Sequence, residues 1–121
     1  MNGKIYVRPE PRGSARKFQA VLPSGKIIRF GLRGYSDYTL HKDPERMKRY
    51  VTRHGGVLPR GVRATTTDML RVRRSLKENW SRRGIETPGF WSRWILWSYP
   101  SLKKAAQYTS RVTGVPVVLL K

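Results

Sequence analysis

"RKFQAVLPSGKIIRFGLRGYSDYTLHKDPERMKRYVTRHG", residues 16–55, changes its hydrophobic period midway, and that change decides the fold. In its opening half a pair of β-prone runs flanks "PSG", where Pro23 and Gly25 suit a tight reversal. Period-two alternation puts Phe18, Ala20 and Leu22 on one face, with Ile28 and Phe30 on the returning strand. "GLRGYSDYT" (31–39) reads as a loop. From residue 43 the period becomes helical. Asp43 can cap, Pro44 suits the first helical position, Glu45 the positive end of the dipole, and Gly55 a stop. Met47, Tyr50, Val51 and His54 then form one stripe. A hairpin followed by a capped helix indicates an α+β class.

Working outward, "KIYVR" (4–8) reads as a short strand and "PEPRGS" (9–14) as a loop. "GGVLPRGVRA" (55–64) reads as a connector. "TTTDMLRVRRSLKENWSRRG" (65–84) is expected as a helix, with Met69, Val72, Leu76 and Trp80 inward and Gly84 as its stop. A third helix is expected over 87–97, with Thr87 as cap and Pro88 first, and a fourth over 101–114, closed by Gly114. "VPVVLLK" (115–121) reads as an apolar strand-like tail, open to edge pairing and able to stand extended. The expected architecture is one basic α+β domain over 1–121, an N-terminal antiparallel hairpin or small sheet backed by about four helices.

The charge bounds the function. Twenty-six Lys and Arg against 7 Asp and Glu give +19, an excess that self-repels unless a polyanion or an acidic protein surface answers it. Arg outnumbers Lys 17 to 9, which suits bidentate contacts to phosphate or carboxylate alike. The absence of Cys excludes disulfides and thiolate zinc sites. No apolar run approaches the ~20 residues of a membrane span, and "MNGKIYVRPEPRG" has no signal-peptide core. The chain is therefore expected in a cytosol-like space, or packaged there into something larger.

Three constellations bear on chemistry. Asp37, His41, Asp43 and His54 are the residue types of a metal- or His-dependent nuclease. A helix between the two histidines would hold their Cα atoms ~15–20 Å apart at ~1.5 Å rise per residue, too far for one metal. The structural reading is a hydrogen-bonded turn around His41 and a packing histidine at position 54. No metal, cofactor or catalytic residue is expected, and no P-loop or nucleotide fingerprint is present. The second constellation is cationic. Arg71, Arg73, Arg74, Lys77, Arg82 and Arg83, with Arg46, Arg49 and Arg53, are expected to meet a partner or the phosphates of DNA or RNA. The third is aromatic. Trp80, Phe90, Trp91, Trp94 and Trp97 read as core, with some of the cluster available as an interface anchor.

The stretch "FGLRGYSDYTLHKDPERMKRYVTRH" (30–54), followed by "ENWSRRGIETPGFWSRWILW" (78–97), resembles a group of small basic proteins encoded by nucleocytoplasmic large DNA viruses. The resemblance carries no catalytic residues and implies a virion-associated or assembly role. The leading expectation is thus a non-enzymatic virion structural protein, a minor capsid or internal capsid-associated protein. It would dock on viral capsid proteins through Arg-rich and aromatic surfaces, residing in the virion, and in the host cytoplasm or viral factory before assembly. The alternative is a non-specific nucleic-acid-binding protein of genome packaging or condensation.

Overall fold

The computed structural model describes residues 3–121; Met1 and Asn2, the start of the expected domain and of the segment read for a signal peptide, lie outside the described residues. The protein is α+β. Strands β1 (Ile5–Pro9), β2 (Arg16–Val21) and β3 (Ile27–Leu32) form an antiparallel meander. The chain then runs through five helices, α1 (Tyr38–His41), α2 (Pro44–Arg53), α3 (Thr66–Met69), α4 (Pro88–Trp91) and α5 (Leu102–Thr113). It returns as β4 (Val117–Leu119), parallel to β1, for a sheet order β3-β2-β1-β4.

Alternation within the strands decides which sheet face meets the helices. Ile5, Val7, Ala20, Ile28 and Phe30 are buried, and Phe18 stacks on its cross-strand partner Phe30 at 5.9 Å. On the opposite face Gln19 is also buried, because it donates to Glu10 and accepts from Arg8 Nε at 2.7 Å. Glu10 in turn accepts from Ser14 Oγ at 2.9 Å and pairs with Arg29 at 3.2 Å.

The expected caps of the second helix are present. The Asp43 carboxylate accepts from the backbone N–H of Glu45 and Arg46, Pro44 opens the first turn, and Gly55 follows the last turn at φ +84°. Met47, Tyr50 and Val51 are buried, and His54 at the C-cap is partly exposed. Thr87 and Pro88 start α4 as expected, and the helix continues as a π-helical turn over Ser92–Leu96. Ser101 caps α5 and Gly114 ends it at φ +72°.

The expected helix over 65–84 is not formed. Only α3 is α-helical there, capped by Thr65, and a 3-10 turn follows at Arg82–Gly84. From the last residue of α3 onward the backbone is committed to distant partners. The carbonyls of Met69 and Val72 accept from Arg93, the Arg74 carbonyl accepts from Val57 N–H, and Leu76 N–H donates to Gly55. Ser75 Oγ donates to the His54 carbonyl and accepts from the N–H groups of Lys77 and Glu78. These bonds replace an i→i−4 ladder. Met69, Val72 and Trp80 still reach the core, but Leu76, expected inside, is 78% exposed. Gly84 is required by proximity, since a Cβ there would lie 1.9 Å from the Asn79 carbonyl oxygen.

The tail is not a free strand. Ile5 N–H donates to the Pro116 carbonyl and Leu120 N–H to the Val7 carbonyl, so β4 completes the sheet beside β1. Trp80, Trp91, Trp94, Trp97 and Phe90 are buried within the chain, 9% exposed at most, which is the core alternative of the sequence reading; Trp97 alone of them also borders a cleft. The indole N–H groups of Trp80, Trp91 and Trp94 find acceptors in Glu78, the Ile85 carbonyl and the Trp80 carbonyl.

Candidate anion-binding cleft and basic surface

The nine cations singled out in the sequence are all exposed. None pairs with a carboxylate among the described residues. Arg46, Arg49 and Arg53 project from α2, while Arg71, Arg73, Arg74 and Lys77 lie on the irregular segment after α3 rather than on a helix face. The two groups adjoin, because Lys77 Nζ donates to the Arg53 carbonyl at 3.0 Å and the segment bridges to Gly56 through Ser75. Arg82 and Arg83 sit on the 3-10 turn, away from this seam in the chain. Arg73 is steadied by the hydroxyl of Tyr108 at 2.9 Å.

Arg46 and Arg53 also open into a cleft of about 430 Å³ between the sheet edge, α2 and the π-helical turn. Arg16 and Lys17 of β2 enter it from the other side. The sequence reading places both on the first strand of the hairpin and gives them no partner; their meeting with α2 depends on tertiary packing that no local pattern encodes. Two carboxylates line the cleft and both are occupied. Asp37, 2% exposed, takes Lys17 Nζ at 2.6 Å on one oxygen and the N–H and hydroxyl of Thr39 on the other, capping α1. Glu78 takes Trp80 Nε1 at 2.8 Å and stands 3.0 Å from His54 Nδ1. Arg16, Arg46 and Arg53 pair with neither carboxylate, so three free guanidinium groups face one unpaired charge, that of Glu78.

An aromatic pile supports the cleft. Tyr50 lies flat on Trp97 at 4.1 Å and 3°, His54 stacks on Tyr50 at 4.1 Å, and His41 packs against Trp97 at 5.4 Å. Burial and the nearby Glu78 charge push the Tyr50 hydroxyl well above the usual phenol range, which keeps it neutral. With two aromatic rings between them, His41 and His54 do not share a site. Among the described residues no group of three or more metal-ligating side chains is close enough to hold an ion. His41 Nδ1 accepts from Asp43 N–H at 2.9 Å, and burial lowers its pKa below the ordinary value. The nuclease candidates Asp37, His41 and Asp43 are thus each engaged in local caps or ion pairs. No helix among the described residues is long and apolar enough to cross a membrane.

Residues 6–54 match the model of a family of unknown function, DUF5754. The matched segment spans the meander, α1 and α2, and includes the cleft residues Arg16, Lys17, Asp37, Arg46, Arg53 and His54, but not Glu78 or Trp97. No curated protein and no solved structure matches the chain.

Proposed function

We propose that this protein binds nucleic acid through its phosphates with little sequence preference, in the manner of a packaging or condensing protein. The observation that carries this reading is the set of nine exposed cations without a carboxylate partner among the described residues, on a chain of charge +19. Arginines on irregular backbone suit phosphates, which need charge and donors but no fixed register of base edges. The motif resemblance supports a setting in the particle or viral factory of a large DNA virus.

Docking on acidic capsid subunits, as a non-enzymatic virion component, uses the same cations. It loses the other two features that favoured it, since the tryptophans lie in the core and the tail is paired with β1.

Fluorescence anisotropy with a labelled DNA oligonucleotide over a salt series tests the proposal. Phosphate binding predicts that log K falls with log salt by ~0.9 per phosphate neutralised on duplex DNA. A flat response, or no binding at physiological salt, overturns it in favour of a protein partner.

A further inference from the structure

The cleft beside α2 differs from the rest of the basic surface because it is concave and partly apolar. Arg16, Arg46 and Arg53 supply the free charge. Tyr35 and Leu32, 69% and 49% exposed, are large apolar side chains left open to solvent on its wall. The volume of about 430 Å³ falls in the range of small-ligand sites, ~300–1,000 Å³. Of the two carboxylates beside it, Asp37 is paired with Lys17 and Glu78 sets one negative charge against the three arginines, so the cleft keeps a positive excess.

We propose that this cleft takes one nucleotide unit of a single strand, with the phosphate among Arg16, Arg46 and Arg53 and the base against Tyr35. This rests on the nucleic-acid reading above and adds a strand preference to it. A duplex keeps its bases stacked inside and can offer the cleft only phosphates, whereas an unstacked strand offers a phosphate and an aromatic face together. A phosphate-bearing base is also the chemistry of a free nucleotide, so the test separates the two sources.

The experiment titrates the wild-type chain, Tyr35→Ala and the double variant Arg46→Ala/Arg53→Ala with a single-stranded DNA oligonucleotide and with its duplex. Amide shifts of the wild-type chain are followed in parallel with 5′-dTMP, thymidine and inorganic phosphate. The expected result is tighter binding of the single strand, a loss of roughly tenfold for it in Tyr35→Ala, and no loss for the duplex in that variant. 5′-dTMP should shift the amides around Tyr35, Arg46 and Arg53 at lower concentration than thymidine or phosphate. Saturation by 5′-dTMP without a single-strand preference assigns the cleft to free nucleotides and overturns the strand proposal. Equal binding of strand and duplex with Tyr35→Ala unchanged overturns the cleft while leaving phosphate binding intact. No binding of either nucleic acid overturns both. The dTMP arm needs no variant, so a misfolded mutant does not blunt the test.

Discussion

Arg93 Nη2 donates to the carbonyl oxygen of Met69 at 2.7 Å, tying the π-helical turn to the last residue of α3. The same guanidinium reaches the carbonyls of Val72 and Trp97 and lies over the rings of Trp80 and Trp94, at 5.4 and 4.5 Å. It is fully buried and has no carboxylate partner among the described residues, and burial pushes its pKa down to about 10, which still leaves it charged at neutral pH. A fork of donors satisfies backbone oxygens that an α-helix would have satisfied itself. Arg93→Met keeps much of the volume and orphans these carbonyls, each worth roughly 1–3 kcal/mol. Loss of the desolvated charge offsets some of this. A net destabilisation of about 2–3 kcal/mol is expected in urea unfolding. Amide exchange should quicken over 70–80, and unchanged exchange there would show that the segment holds itself.

Arg93 also marks where sequence reading reaches its limit. The strands, the Asp43–Pro44 helix start, the Thr87–Pro88 start and the Gly114 stop were legible because caps and alternation are local. Residues 70–81 continue a helical stripe of Met69, Val72, Leu76 and Trp80, yet their backbone answers to Arg93, Gly55 and Val57. Those partners are distant in sequence, so periodicity alone could not find them. The cleft was half legible. Arg46 and Arg53 stood out on a basic helix, but their meeting with Arg16 and Lys17 is set by how α2 packs against the sheet. Glu78, His54 and Trp80 form a hydrogen-bonded chain that no spacing announced.

Asp37 ties β2 to the start of α1 through Lys17, and both side chains are largely buried. Asp37→Ala removes the cap from Thr39 and leaves an ammonium without its counter-charge. A loss of about 2–4 kcal/mol is expected. Asp37→Asn keeps an acceptor for Thr39 and should lose less. A double-mutant cycle with Lys17→Met separates the ion pair from the cap. Additive effects would mean that the pair contributes nothing beyond its members.

His41 should make stability depend on pH. Its Nδ1 must be unprotonated to accept from Asp43 N–H, and burial holds its folded-state pKa below the unfolded value of 6.5. The unfolded chain then binds the proton more readily than the folded one. The contribution is fully present above pH 6.5 and is lost as pH falls through the folded pKa. Urea midpoints measured from about pH 7.5 downward should decrease, and His41→Asn, which keeps a short acceptor without titrating, should flatten that slope. An equal slope in the variant would move the effect to another group.

The pairing of β4 with β1 closes what would otherwise be an open sheet edge. Ile5 and Val7 are fully buried, and the backbone of β1 is bonded to Pro116 and Leu120 on its outer side. A chain ended at Pro116 would turn β1 into an open edge beside a buried apolar face, the geometry that invites strand addition between molecules. We expect such a chain to unfold at lower urea and to elute from a sizing column as dimers or larger species, while the full chain runs as one form. A synthetic peptide of residues 117–121 should restore the elution of the full chain by occupying the vacated edge. A truncated chain that is monomeric and as stable as its parent would show that the tail adds nothing to the sheet. It would then be free, as its sequence first suggests, to pair with a partner's edge.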